Sequence, residues 1–370
     1  MAGKRTFTTL DGLRGVAALM VLLFHLLPAW SGLPFPPSAF LSVDLFFLLS
    51  GFVIGHAYDD KLAAGLSLSG FLGIRLIRLY PLYILGCAMG LAVAVIAALA
   101  SGHWWTARPA VTAVPWALLM LPRPSADLSR WFTLNPPAWS LFSEMLVNIL
   151  YAVLFPLLTR RVLIGIVAVS GGALAMFILL HGGMNGNAEG WLQPFGNARP
   201  IFPFAAGLLL YRTWRAGSLP TVSIPAEMLI LAFVACLAVP ATGTLGAVLT
   251  VVVAEIGFPL LLIAAVSNEP SGQSAVAMTS LGRLSYPLYA LHYPLIAAMW
   301  ALTPAGAGTL AWGGVIVAGT SVLVAWLALV RYDEPVRAWL THRFAASRDT
   351  VGTHHVKSVQ TMAQPHRSGR

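Results

Sequence analysis

The run Leu10-Asp11-Gly12-Leu13-Arg14-Gly15-Val16-Ala17-Ala18-Leu19-Met20-Val21-Leu22-Leu23-Phe24-His25 is apolar, with an arginine near one end and a histidine at the other. Eleven helical steps separate Arg14 from His25, roughly 16 Å along an α-helix. Ionisable groups inside a membrane are costly and face a polar cavity or a partner. This first apolar segment therefore carries two groups that a plain anchor does not need.

The rest of the chain reads the same way. Its 370 residues are 58% hydrophobic and 9% charged, with a mean hydropathy of +0.79. A soluble protein of this size needs more charge to cover its surface. Apolar segments of about 20 residues recur along the whole length, which gives an all-α, polytopic transmembrane helix bundle. Ten spans are expected, at about 10–27, 39–58, 82–100, 138–158, 162–180, 200–214, 226–239, 245–266, 285–302 and 309–330. Arg75 and Arg78 fall in an interfacial lead-in to the third span. The piece 111–121 is too short to cross and reads as re-entrant or interfacial. Residues 267–281 read as a polar loop. One transmembrane domain covers 1–340, and a basic tail, 341–370, is expected to be disordered.

Ten spans put both termini on one side. The formal net charge is +9, and its distribution tests that arrangement. With the N-terminus cytoplasmic, Lys4, Arg5, Lys61, Arg75, Arg78, Arg160, Arg161, Arg212, Arg215, Arg283 and the tail all lie inside. Arg108, Arg123, Arg130 and Arg199 lie outside or near the outer face. That asymmetry follows the positive-inside rule. No Lys/Arg block with interleaved aromatics is present, so nucleic acid is not an expected partner. Asp11 and Arg14 interrupt the first apolar core and no clean small-residue cleavage site follows, so the segment reads as an uncleaved span. Cys87 and Cys236, both in apolar runs, form no disulfide framework or metal cluster and read as packing residues.

The topology places His25, Asp44 and Glu144 at similar depth near the outer side. A histidine beside a carboxylate in a dry site is a general-base arrangement. Other readings stand beside it. His25 could hydrogen-bond across helices, Glu144 could partner Arg130 or Trp139, and Asp44 could be a carboxylate at a helix start. At the cytoplasmic side, Arg14, Arg75 and Arg78 either anchor the topology by snorkelling or bind phosphate. A nucleotide-like acyl carrier fits the second reading, its phosphates on the arginines and its arm toward His25. Arg199, beside Pro200, either lines an outer cavity or anchors. His292 lies between Pro287 and Pro294, which distort a helix and free backbone carbonyls. It either lines the cavity so formed or is a core histidine satisfied by carbonyls. Walker A, G-x-S-x-G, H-E-x-x-H and Rossmann patterns are absent, so a nucleotide-driven pump or a hydrolase of those types is not indicated.

The stretches LDGLRGVAALMVLLFH (10–25), SVDLFFLLSGFVI (42–54), RLIRLYPLY (75–83), PPAWSLFSEMLVNILY (136–151), LGRLSYPLYALHYPL (281–295) and YDEPVRAWL (332–340) run in order from first span to last. Together they resemble the acyltransferase-3 family of integral membrane O-acyltransferases. The resemblance implies transfer of an acyl group, most commonly acetyl from acetyl-CoA, to a hydroxyl of a cell-surface or secreted carbohydrate or glycolipid, at a bacterial-type inner membrane. It implies His25 as catalytic base, and it maps the family's glutamate onto Glu144, its aspartate onto Asp44 and its paired arginines onto Arg75 and Arg78. One departure stands out: a single acid, Glu144, follows Trp139-Ser140-Leu141, where the family often has two. The expected donor is acyl-CoA, used as a substrate, with no permanently bound cofactor or metal. The rival class is a transporter or flippase that uses the buried charges as a path.

Overall fold

The structure is a computed structural model that describes residues 5–31, 36–125, 131–183, 198–302 and 313–344. Lys4, Arg130, most of the loop 181–197, the start of the tenth expected span and the tail from 345 lie outside the described residues. All regular structure among the described residues is helical. The helices are α1 (Thr8–Ser31), α2 (Ser42–Ala63), α3 (Leu68–Ala100), α4 (Arg108–Leu118), α5 (Ala138–Leu154) and α6 (Arg160–His181), followed by α7 (Ile201–Arg215), α8 (Ala226–Leu237), α9 (Gly243–Ala265), α10 (Gly272–Leu302) and α11 (Gly313–Phe344).

Seven of these helices are long and apolar enough to cross a membrane: α1, α2, α3, α5, α6, α9 and α11. Of the other expected spans, α7 and α8 have 15 and 12 residues. Helix α10 has 31 residues, but its serines, prolines, tyrosines, Arg283 and His292 dilute its apolar content. The eleven-residue α4 is too short to span, as expected.

Three boundaries differ from the sequence reading. Arg75 and Arg78 are not in a separate interfacial piece, because α3 runs unbroken through Pro81. The polar stretch before 281 is largely helical, because Met278, Leu281 and Gly282 pack it against α1. The last helix continues past Val330 through a π-turn, Leu329–Asp333, to Phe344. The Phe344 ring lies over Gly73 of α3.

Two close helix pairs organise the bundle. Helix α1 packs most extensively on α10, and α2 on α7. The α1/α10 pair is parallel: Gly12 meets Met278, Gly15 meets Leu281, and Arg14 and His25 reach Ser285 and His292. The α2/α7 pair is also parallel and is held at both ends by ion pairs, Asp44–Arg199 and Asp59–Arg212. Between those pairs the backbones nearly touch. A Cβ at Gly207 would lie 2.0 Å from the Leu48 carbonyl oxygen, and one at Gly51 would lie 2.0 Å from that of Phe204. Small residues permit this approach, which is how membrane helices gain packing energy where lipid is as apolar as leucine.

This seam yields a stability prediction. Gly207→Ala should destabilise the protein by roughly 1–3 kcal/mol, the usual cost of overpacking, read as a lower melting temperature in detergent. Gly172→Ala, on an open face of α6, should leave the melting temperature unchanged or raise it. Equal losses at both positions would contradict the close crossing.

Candidate active site

The first of two adjoining cavities takes in, with the open space at its mouth, about 800 Å³. Helices α1, α2, α3, α5 and α10 contribute Arg14, Ser50, Arg75, Arg78, Glu144 and Tyr286 to its walls. Arg14 is held on three sides. Its Nε donates to Ser285 Oγ at 3.0 Å, and one Nη donates to Asp11 Oδ1 at 2.8 Å and to the Gly282 carbonyl at 3.2 Å. Arg75 is buried and donates to Glu144 Oε1 at 2.5 Å, an oxygen that also accepts from Ser50 at 3.3 Å. The Arg75 Nε–H is buried with no partner among the described residues, which leaves a donor wanting an acceptor. Arg78 is solvent-accessible and, among the described residues, has no carboxylate within ion-pair reach. Arg14, Arg75 and Arg337 of α11 all repel it, and Glu144 offsets part of that repulsion. Such a cluster, three guanidinium groups in the wall and a fourth nearby, suits an anion with several oxygens.

The second cavity, about 700 Å³, is lined by Val21, Phe24, His25, Trp139, Arg199 and Tyr289 among others. His25 Nδ1 lies 3.0 Å from the Val21 carbonyl and 3.2 Å from His292 Nε2. The two rings are 5.1 Å apart, centre to centre, and tilted by 41°. His292 is buried, and its Nδ1 lies 2.8 Å from the Tyr289 carbonyl and 3.1 Å from that of Leu288. The carbonyl that Pro294 frees, on Ala290, is taken instead by Asn135 Nδ2 at 2.9 Å. That bond ties the loop before α5 to the turn of α10 that carries His292.

Val43 and Tyr289 line both cavities and so form the wall between them. The Tyr289 hydroxyl is 2.5 Å from Ser140 Oγ, and both hydroxyls lie within reach of the Pro137 carbonyl, at 3.3 and 3.0 Å.

The residues expected from sequence are thus distributed over two places. Arg14, Arg75 and Arg78 converge on one cavity. Glu144 joins them there and contacts Arg75; its side chain is not brought to His25. Counting depth along helices sets a residue's height but not the direction it faces, and Glu144 faces α2 and α3. Asp44 is buried and engaged by Arg199, whose Nε donates to its Oδ1 at 2.7 Å and whose Nη2 donates to its Oδ2. Arg199 also bonds the Phe40 carbonyl and lies 5.9 Å from the Trp139 ring centre. The partner at His25 is His292. Sequence reading missed Tyr289, Ser140, Ser285 and Arg337 as site residues, although the first and third stand in the same SYPLY stretch that drew attention to His292. It also missed the buried Asp59, which accepts from Tyr151 at 2.6 Å and from Arg212 Nε at 2.8 Å. No cluster of three metal-ligating side chains occurs among the described residues.

The apolar helical bundle thus sets an arginine-lined cavity against a histidine-lined one. Comparison with known proteins gives its class: a family model described as an acyltransferase domain matches residues 7–330. The chain belongs to the acyltransferase-3 family and is a membrane acyltransferase. "Protein 2 in picA locus" of Rhizobium radiobacter is 41% identical over 157 residues, 40% of this chain and 81% of that protein. No solved structure matches.

The Asp44–Arg199 pair gives a second stability prediction. Asp44→Asn strands a guanidinium in the bundle and should cost about 3–5 kcal/mol. The double variant Asp44→Asn with Arg199→Gln, which removes both charges, should recover much of that loss. Melting temperatures in detergent check this, and a double variant less stable than Asp44→Asn would contradict the pairing.

Proposed function

We propose that the protein transfers an acyl group, in the first instance acetyl, from acyl-CoA to a hydroxyl of a carbohydrate or glycolipid acceptor at the bacterial inner membrane. The observation that carries this reading is the shared Val43–Tyr289 wall, with guanidinium groups on one side and His25 on the other. In this reading the CoA phosphates sit against Arg78, Arg75 and Arg14, and the orphan Arg75 Nε–H takes a phosphate oxygen. The positive-inside charge bias supports a cytoplasmic opening for that cavity, on the side where acyl-CoA is made. The pantetheine arm then carries the thioester past Tyr289 toward His25. Glu144 serves the donor side, as the carboxylate that holds Arg75.

The chemistry closes with His25 alone as acid and base. Its unprotonated ring nitrogen takes the proton of the acceptor hydroxyl as that oxygen attacks the thioester carbonyl. A C–O bond forms, the C–S bond breaks, and the departing CoA thiolate takes the proton back from the imidazolium. The products are the ester and CoA thiol, and the histidine is restored.

His25→Ala should insert and accumulate normally yet give no acylated product. Mass spectrometry of surface glycans and glycolipids, from cells with the wild type and with the variant, would show the acetyl-sized difference only for the wild type. Normal acylation by His25→Ala would sink the assignment. Arg78→Gln should raise the KM for acetyl-CoA about tenfold, the worth of one charge-assisted hydrogen bond, with kcat much less affected. An unchanged KM would remove Arg78 from the donor site.

A further inference from the structure

The partners of the two histidines point to one arrangement of their protons. A backbone carbonyl can only accept, so Nδ1 of His292, facing the carbonyls of Tyr289 and Leu288, carries a proton. The same holds for Nδ1 of His25, which faces the Val21 carbonyl. His292 Nε2 lies 3.2 Å from that Nδ1–H of His25. Were His292 doubly protonated, two N–H groups would point at each other, so His292 must be neutral and must present the Nε2 lone pair. Its burial favours the same state, since a buried cation without a counter-charge is costly. The chain therefore runs in one direction: the His25 Nδ1–H, shared with the Val21 carbonyl, to His292 Nε2, then His292 Nδ1–H to the α10 backbone. It leaves Nε2 of His25 as the lone pair at the cavity that the ring lines. Among the described residues nothing bonds that nitrogen.

From this we propose that His292 is the positioning residue of the His25 base, doing with a neutral imidazole what a carboxylate does in a histidine–carboxylate pair. It shares the Nδ1–H with the Val21 carbonyl and so holds the ring plane from a second helix. It also accepts the Nδ1–H bond more strongly when His25 takes up the substrate proton, because a charged donor makes a stronger bond. A neutral partner stabilises the imidazolium less than an anion does, so the base returns its proton readily to the leaving thiolate. The surroundings support the role. The packing of Gly15 on Leu281 and the Arg14 bond to Ser285 fix α10 against α1 on the N-terminal side of the pair, and the Asn135 bond to Ala290 ties the turn that carries His292 to the loop before α5. This inference rests on His25 being the base.

The test uses native membrane vesicles that contain the full-length protein and are supplied with [14C]acetyl-CoA, with label fixed in glycan and lipid as the readout. A second readout is 15N NMR of the histidine-labelled protein in detergent, with the His25 signals identified by their loss in His25→Ala. His292→Phe keeps an aromatic ring and removes the acceptor. Its maximal rate per protein should fall at least about tenfold, within the range by which acid–base groups act, while the KM for acetyl-CoA stays within about twofold. His292→Gln, whose amide oxygen can accept from Nδ1–H, should recover most of the rate. In the wild type, His25 should show a protonated Nδ1 and a bare Nε2, and His292→Phe, which leaves the Val21 carbonyl on Nδ1–H, should keep that tautomer while the Nδ1 signal shifts with the loss of its second acceptor. If His25→Ala is inactive but His292→Phe keeps the full rate, the positioning role fails and the His25 assignment stands. If both His292 variants lose rate in proportion to lost protein, the role is structural and the proposal fails. If His25→Ala is itself active, the functional reading fails. A wild-type His25 proton on Nε2 would overturn the proposal whatever the rates.

Discussion

A guanidinium inside a lipid-facing bundle has to be answered by a carboxylate or a ring of acceptors, and that requirement sets how these helices stand. Arg75 of α3 reaches Glu144 of α5, while Arg199 and Arg212, at the two ends of α7, reach Asp44 and Asp59 at the two ends of α2. Each pair joins parts of the chain far apart in sequence. The glycine crossing at Gly51 and Gly207 is possible because the pairs at either end hold α2 and α7 in parallel register. With α2 fixed in this way, one flank of it can face α1 and α5 and supply Ser50 and Val43 to the cavities. Buried pairs are weak evidence of net stability, because desolvation offsets most of the attraction. They are strong evidence of specificity here, since a register slip would strand a charge.

The same pairings decide the character of the site. Carboxylates that could have served His25 are committed to arginines, so the histidine is left with another histidine. The arginines divide into those whose charge is answered, Arg199 and Arg212, and those that retain positive character toward a cavity, Arg78 above all.

Much of this was legible in the chain. The apolar run from Leu10 to His25, with its two ionisable residues, already implied a helix that traverses the site. Charge bias along the sequence correctly grouped Arg14, Arg75 and Arg78, because residues at the same end of neighbouring helices share a depth. Facing was not legible, since a depth count cannot tell which neighbour a side chain meets. Glu144 and Asp44 were therefore expected near His25, whereas the structure gives each of them an arginine. The Arg199–Asp44 partnership spans 155 residues, and no local pattern carries it. The helical character of 272–284 was hidden by its polar composition, because its contacts with α1 come from a few positions, such as Met278 and Gly282. Pro81 and Pro287 both sit within continuous helices.

The Val43–Tyr289 wall has a consequence for the membrane itself. Two hollows placed back to back inside a bilayer come close to forming a pore, and a pore would discharge the ion gradients that the membrane maintains. The wall they share carries Val43 and Tyr289, the latter held by Ser140 and the Pro137 carbonyl. A partition this thin can yield to a small substituent and re-form behind it, whereas a thicker one would demand movement of whole helices. Its cost is that the seal rests on the few polar contacts that hold one tyrosine ring.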